Sequence, residues 1–240
     1  MRLVTAEQPD ASKPTQVAVV GKKGQGKTEL AYLLFDSYPY DRVLIDPNGD
    51  IKCPEGTIDL DPDDIPVRWP SPPREMLPGH HPPKYQTLRF VPDFHDPDYL
   101  AQIDRVVGLA YGAADRKTML FVDEAHEAAP AGKTPPHMRR ALRQGRHHRL
   151  SMILATPRPL TVDSLVLTQA DWVYVFRLPN PNDRKRVAET IGWDPKDFDE
   201  GVHALGEHEY LRFNAKPANP DEELKHYPPL PSHLIKGHRT

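Results

Sequence analysis

Short apolar runs, separated by polar, glycine and proline residues, dominate the pattern of this sequence. Within each run the apolar residues do not alternate with polar ones, which is typical of strands buried on both faces of a parallel sheet. We predict strands at residues 17–20, 42–45, 87–91, 118–122, 151–155, 172–176 and 209–213.

Most intervals between these strands carry apolar residues at helical spacing. In residues 98–111, for example, Ile103, Val106 and Val107 fall on one side of a helix. The predicted helices are 28–36, 98–111, 136–149, with a possible earlier end near Gly145, and 183–191. This alternation predicts an α/β fold with a mostly parallel central sheet and helices on both faces.

Proline is unusually frequent, and its distribution suggests how the chain is divided. Eight of the 28 prolines lie in residues 62–83, a density that no helix or strand tolerates. This segment is either an ordered surface excursion or a mobile loop. We predict an N-terminal extension at 1–15, one domain at 16–213 that contains this insertion, and an extended C-terminal tail at 214–240.

Composition narrows the classes of protein. The net charge of -3 means that any affinity for nucleic acid must come from a local basic patch. The single cysteine, Cys53, excludes an internal disulfide. No apolar run approaches the length of a membrane span, so we expect a soluble, cytoplasmic protein.

A phosphate-binding loop directly follows the first predicted strand. Its sequence fits G-x-x-x-x-G-K-[ST], in which glycines turn backbone N–H groups towards a phosphate at the N-terminus of the next helix. Lys27 is predicted to reach the β- and γ-phosphates, and the Thr28 hydroxyl to ligate Mg²⁺. The residues assigned to nucleotide binding are Gly21, Lys22, Lys23, Gly24, Gln25, Gly26, Lys27 and Thr28.

Two acidic residues follow the strand predicted at 118–122. The carboxyl ends of buried parallel strands meet at the ligand-binding edge of a sheet. Asp123 is therefore placed to hold Mg²⁺ beside Thr28, and Glu124 to act as the general base that polarises water. The second acid favours a hydrolase over a kinase or a GTPase.

Arginines concentrate in residues 139–149. On a continuous helix, Arg139, Arg143, Arg146 and Arg149 would share an arc of about 120°. Three interpretations stay open: a solvated charged face, a contact surface for DNA phosphates, or an arginine that reaches a γ-phosphate within its own subunit or across an interface.

In the order of these motifs the chain resembles the HerA–FtsK superfamily of DNA-pumping ATPases. In its size it resembles the viral genome-packaging ATPases of that group. The motifs are the phosphate loop, the strand that ends at Asp46, the Asp123–Glu124 pair, and the Gly145-Arg146 pair followed by a strand and Ala-Thr-x-Arg-Pro. The resemblance extends over residues 16–213.

The resemblance implies a P-loop NTPase with a RecA- or HerA-like core that uses ATP and Mg²⁺. It places Asp46 near the nucleotide, makes Arg146 the arginine that senses the γ-phosphate, and loosely assigns Arg184 an action on the neighbouring subunit. The family usually carries glutamine where this chain has Pro157. Because proline offers no polar side chain or N–H, sensing would be weaker or would fall to Thr156 or Arg158.

The function implied by the resemblance is an ATP-hydrolysing DNA translocase that packages a genome and works as a homo-oligomeric ring. Its partners would be DNA, bound through the backbone without sequence preference, and a capsid or portal component. It would act in the host cytoplasm or on the virion. Alternatives are a zonula-occludens-toxin-like assembly or secretion protein, another HerA-like helicase, and a small-molecule kinase.

Overall fold

A computed structural model describes residues 10–70, 85–113, 115–217 and 223–231 of the chain. Every predicted strand is present within these ranges. The strands are β1 (Gln16–Val20), β2 (Asp41–Ile45), β3 (Ile58–Leu60), β4 (Thr87–Phe90), β5 (Thr118–Val122), β6 (Leu150–Thr156), β7 (Trp172–Phe176), β8 (Tyr210–Asn214) and β9 (Leu224–Tyr227).

These strands form one sheet in the order β3-β4-β2-β5-β6-β1-β7-β8-β9. In this spatial order, all neighbouring pairs from β3 through β7 are parallel. Strands β8 and β9 extend the sheet beyond β7 and pair antiparallel. The prediction of a mostly parallel α/β fold is confirmed. One strand, β6, separates β1 from β5. The phosphate loop after β1 and the acids after β5 therefore lie two strand positions apart at the carboxyl ends of the strands.

Helices cover both faces of the sheet. They are α1 (Lys27–Asp36), α2 (Tyr99–Gly112), α3 (Ala125–Ala128), α4 (Pro136–Gln144), α5 (Leu165–Thr168), α6 (Pro181–Ile191) and α7 (Pro195–His203). Within the described ranges, none of these helices combines the length and the apolar character that crossing a bilayer requires.

Strand β1 shows why all its residues after Gln16 are apolar. Val17 and Val19 pack in the cluster that contains α1, whereas Ala18 and Val20 pack in the cluster that contains α2, α4 and α6. Successive side chains of a strand point to opposite faces, so a strand with helices on both sides must be apolar throughout. All five residues of β1 are buried.

The third predicted helix is shorter than the arginine spacing suggested. Helix α4 ends at Gln144, and Gly145–His148 forms a turn of 3-10 helix. Arg149 then adopts a left-handed conformation with φ 56° and leads into β6. A continuous helix to residue 149, and with it a single helical face for all four arginines, is therefore wrong, whereas the alternative end near Gly145 is confirmed.

The sheet continues into the predicted tail. Strand β9 pairs with β8 in antiparallel register, so the sheet extends past residue 213. Of the predicted N-terminal extension, residues 1–9 lie outside the described part of the chain, as do 71–83 of the proline-rich insertion and 218–222 and 232–240 of the tail. At the described start of the insertion, Trp69 donates from Nε1 to Oε1 of Gln86 at 2.7 Å.

Candidate nucleotide-binding site

The phosphate loop begins where β1 ends and is fixed by its neighbours in the sheet. Gly21 has φ 153°, and a Cβ at this position would lie 2.5 Å from the Cβ of Phe176. The Gly21 N–H donates to the carbonyl of Thr156 at 3.4 Å, and the Lys22 N–H to that of Arg177 at 2.8 Å. Only glycine permits this close approach to β7.

The end of the loop is shaped for an anion. Gly24 and Gly26 have φ values of 80° and 97°, a left-handed region that other residues rarely adopt. Gly26 is the N-cap of α1, which begins at Lys27. The first N–H groups of a helix lack intrahelical acceptors and carry its positive dipole end, so they favour a phosphate here.

Lys27 and Thr28 are both buried at the start of α1. Lys27 is 6% exposed, and its Nζ donates to the carbonyl of Lys22 at 3.2 Å across the loop. The Thr28 hydroxyl lies 3.3 Å from both carboxylate oxygens of Asp123. The predicted pairing of Thr28 with Asp123, 95 residues apart in sequence, is thus present in the structure.

Asp123 is under electrostatic strain in this setting. Burial raises the pKa of its carboxyl to about 7, the neighbouring Glu124 carboxylate adds to the rise, and Lys27 opposes it. A buried carboxylate near other acids needs a positive charge to stay ionised. A divalent cation at Asp123 and Thr28 would supply that charge.

The donor set fits Mg²⁺. No group of three or more histidine, cysteine or acidic side chains suited to a metal occurs in the described part of the chain. Mg²⁺ characteristically takes one or two protein oxygens and completes its shell with water and substrate phosphates. The Thr28 hydroxyl and the Asp123 carboxylate are such oxygens.

Glu124 adopts an uncommon backbone conformation at the end of β5. Its φ of 49° and ψ of 52° are left-handed, and it caps the short helix α3. Its Oε2 lies 3.4 Å from Nδ1 of His126, whose Nε2 is 3.3 Å from Oε1 of Glu127. Strained non-glycine backbone concentrates at functional sites. The turn places the Glu124 side chain in the same cleft as Asp123.

That cleft has a volume of about 580 Å³. It brings together most of the predicted loop residues and both acids of β5, together with three residues that sequence reasoning missed: Glu29, Asn48 and Asp50. The lining residues are Lys23, Gly24, Gly26, Lys27, Thr28, Glu29, Asn48, Asp50, Asp123 and Glu124. The Asp46-Pro47-Asn48-Gly49-Asp50 turn after β2 was the available signal for two of them.

Asp46 itself does not line the cleft. It is fully buried, and its carboxylate accepts from the N–H groups of Gly49 and Ile51 at 3.0 Å each. Burial raises the pKa of Asp46, and the Ile51 N–H opposes the rise. The prediction that Asp46 binds the nucleotide is corrected: it shapes the turn that presents Asn48 and Asp50.

Arg146 lies near the amino ends of the strands, whereas the phosphate loop lies at their carboxyl ends. Its Nη1 donates to Oδ1 of Asp171 at 2.7 Å, and Oδ2 of Asp171 accepts from the N–H of Gln16 at the start of β1. The phosphate loop follows the opposite end of β1, about 15 Å away at the usual rise of a strand. Contact between Arg146 and a nucleotide in its own subunit is therefore ruled out in this arrangement.

Arg184 is occupied by contacts within its own subunit. Its side chain is 7% exposed, its Nε is bonded to Asp199, and its Nη1 donates to the carbonyls of Leu178 and Pro179 at 2.7 Å each. These contacts join the start of α6 to α7 and to the segment after β7. The prediction of an arginine that acts on a neighbouring subunit is wrong for Arg184 in this arrangement.

The end of β6 lies between the phosphate loop and the acids of β5. Thr156 is fully buried, and its Oγ1 accepts from the N–H of Arg158 at 3.1 Å. Arg158 is exposed. Of the two residues predicted to replace the missing glutamine, only Arg158 presents its side chain at the surface.

The basic surface is smaller than predicted and lies on α4. Arg139, Arg140 and Arg143 are exposed and line an open groove together with Thr134, Pro136 and Gln144. Helix α4 packs against α2, and the N–H groups of His137 and Met138 at its start donate to Asp104. We call this surface the α4 groove.

Comparison with solved structures places this fold. The genome packaging NTPase B204 from Sulfolobus turreted icosahedral virus 2, in complex with AMPPCP, matches with a TM-score of 0.64 and 19% identity over 92% of this chain and 100% of its own. The chain has the fold of a viral genome-packaging NTPase. VirB4 of Thermoanaerobacter pseudethanolicus matches with a TM-score of 0.55 and 11% identity over 90% of this chain and 93% of its own.

The likeness lies in the fold and not in the sequence. No family model matches the chain, and no curated protein matches it in sequence. The resemblance to the HerA–FtsK ATPases drawn from the motifs is consistent with these neighbours, since the packaging-NTPase fold extends over nearly the whole chain.

The raised pKa of Asp123 leads to a prediction about stability. In metal-free protein its folded-state pKa of about 7 exceeds the ordinary 3.8, so burying the charge destabilises the fold increasingly from about pH 4 to pH 7, and fully above that. Asp123→Asn should raise the free energy of unfolding by roughly 1 to 3 kcal/mol at pH 8 and by less at pH 5.

Urea unfolding with EDTA at the two pH values measures this difference. Glu55→Gln, which removes an exposed acid from a turn, is the control and should change stability little at either pH. An Asp123→Asn protein that is less stable than the native one at pH 8 would contradict the electrostatic account.

Proposed function

We propose that this protein is a Mg²⁺-dependent ATPase that moves DNA and works as a ring of identical subunits. One observation carries the proposal: Lys27, Thr28, Asp123 and Glu124 converge on a single cleft, in the fold of a genome-packaging NTPase. The related structures of B204 with AMPPCP and with ATP-gammaS support nucleotide binding by this fold.

In this proposal the loop N–H groups and Lys27 bind the β- and γ-phosphates. Thr28 and Asp123 hold Mg²⁺, which neutralises phosphate charge when bound. Glu124 accepts a proton from the attacking water, and its carboxylate lies in the same cleft as Asp123. Arg158, exposed at the end of β6, takes the place of the usual glutamine beside the γ-phosphate.

DNA is proposed to bind in the α4 groove. Guanidinium groups pair with phosphate oxygens through charge-assisted hydrogen bonds, which carry no sequence information. Arg139, Arg140 and Arg143 supply three such groups on adjacent turns of one helix. With a net charge of -3 on the whole chain, this local patch would carry the affinity.

Arg146 is proposed to act on the nucleotide of the adjacent subunit. Its side chain is one-third exposed and lies at the amino ends of the strands, away from the cleft of its own subunit. A head-to-tail ring brings different surfaces of neighbouring subunits together, so an arginine on one side can complete a site on the other. Asp171 would release it when the interface forms.

Loss of the cleft residues should abolish activity. Lys27→Ala and Glu124→Gln should each lower kcat for DNA-stimulated ATP hydrolysis at least about 100-fold, because they remove a phosphate contact and the base. Glu124→Gln should still bind ATP, since the amide keeps the shape of the carboxyl group. Phosphate release, with and without DNA, measures the rates.

Glu55→Gln is the control, an exposed acid on a turn that does not line the cleft, and it should retain activity. Absence of hydrolysis by the native, assembled protein with and without DNA would overturn the proposed ATPase. Transfer of phosphate to a small-molecule acceptor would indicate a kinase instead.

Mixed rings test the action of Arg146 on its neighbour. Arg146→Ala and Lys27→Ala subunits should each be inactive alone. An equal mixture should recover about a quarter of native ATPase activity, because that share of random interfaces joins an intact Lys27 to an intact Arg146. A mixture of Lys27→Ala with Glu124→Gln, which act in the same cleft, should stay inactive.

Recovery in both mixtures, or in neither, would contradict the assignment of Arg146 to a neighbouring site. Subunit exchange is verified by mass measurement of the assembled mixtures.

The α4 groove makes a prediction for DNA affinity. The double change Arg140→Gln and Arg143→Gln should reduce the slope of log Kobs against log salt concentration by about 2, at equal ATP affinity. Fluorescence anisotropy with duplexes of unrelated sequence measures it. The double change Lys185→Gln and Lys196→Gln, on α6 and α7, removes the same charge from another surface and should leave the slope unchanged.

A further inference from the structure

A second cavity adjoins the phosphate cleft and has a different chemical character. It is small, partly open to solvent and lined by Gly26, Glu29, Phe176, His208 and Leu230. Gly26 and Glu29 also line the phosphate cleft, so the two spaces meet at the start of α1.

The order of the strands determines which way a nucleoside triphosphate bound at the loop would run across the sheet. Asp123 and Glu124 follow β5, which lies on one side of β1, whereas Phe176 ends β7, which lies on the other. In the proposed complex the γ-phosphate and the metal face the acids of β5. The nucleoside must then leave the loop towards β7 and β8, where the second cavity lies.

The loop glycine keeps the passage between the two spaces open. A Cβ at Gly26 would lie 3.5 Å from Cε1 of Phe176 and 3.6 Å from Nδ1 of His208. A side chain at this position would therefore narrow the connection. These distances, measured to a Cβ that Gly26 lacks, place both rings next to the last glycine of the loop.

The walls suit a flat heterocycle. Phe176 and Leu230 are buried apolar side chains, and the His208 ring is partly exposed. His208 lies two residues before β8 and has a left-handed backbone conformation with φ 63°. Aromatic rings stack on nucleobases of any sequence because every base has a π-face.

We propose that this cavity binds the base of the nucleotide, with His208 as the stacking residue and Leu230, which follows β9, as the opposite wall. The inference rests on the proposed function, since it takes the phosphates to occupy the loop. It makes the segment after residue 213 part of the nucleotide site.

Inorganic tripolyphosphate separates base recognition from phosphate recognition. Titration calorimetry with Mg²⁺ should show that the native protein binds ATP at least about tenfold more tightly than tripolyphosphate. The double change His208→Gly and Leu230→Ser should lower ATP affinity about tenfold and leave tripolyphosphate affinity within about twofold. Glycine accepts the backbone conformation of residue 208, and the retained tripolyphosphate affinity shows that the double variant is folded.

The control is His95→Gly with Val67→Ser, comparable substitutions at exposed residues away from the cavity, which should change neither affinity. Unchanged ATP affinity in the cavity variant, or an equal loss for both ligands, would overturn the proposal. A native protein that binds neither ligand would overturn the proposed ATPase and this inference with it.

Discussion

The contact between the Thr28 hydroxyl and the buried Asp123 carboxylate constrains the rest of the molecule. It joins the first turn of α1 to the end of β5 across the intervening strand β6. The sheet must therefore place β1 and β5 two positions apart, with their carboxyl ends level. Because helices cover both faces, the strand between them, β6, is buried along its whole length.

The same contact holds the Asp123 carboxylate in a buried position, which lowers the stability of the fold when the carboxylate is ionised. Burial raises the pKa of the Asp123 carboxyl, the charges of Glu124 and Asp46 add to the rise, and Lys27 and the Glu124 N–H oppose it. A protein selected only for stability would not bury this cluster. The arrangement is pre-organised for a cation and for the phosphates that accompany it.

Much of the fold and the centre of the site could be predicted because their signals are local. The apolar runs gave the strands, and the loop sequence gave the residues around Lys27. The arginines could not be placed in the same way, because spacing on an assumed helix does not reveal where it ends. Helix α4 ends at Gln144, so Arg146 lies on a 3-10 turn near the amino ends of the strands.

Other elements were missed for reasons of length and composition. Strand β3 has three residues and β9 is half polar, so neither forms an apolar run. Helix α7 carried a readable signal in Asp194-Pro195, where the Asp194 side chain accepts from the N–H groups of Lys196 and Asp197. The partners of Arg184 are carbonyls and an acid on another helix, which only the tertiary structure reveals.

The last strand of the sheet has a consequence for local dynamics. Tyr227 stacks on Tyr210 at 5.2 Å, and the buried guanidinium of Arg212 lies between the rings of Trp172 and Tyr227. Opening of β9 would expose this cation and these rings and would also remove Leu230 from the cavity beside the loop. A ligand in that cavity would therefore slow amide hydrogen exchange along β9, which links the edge of the sheet to nucleotide occupancy.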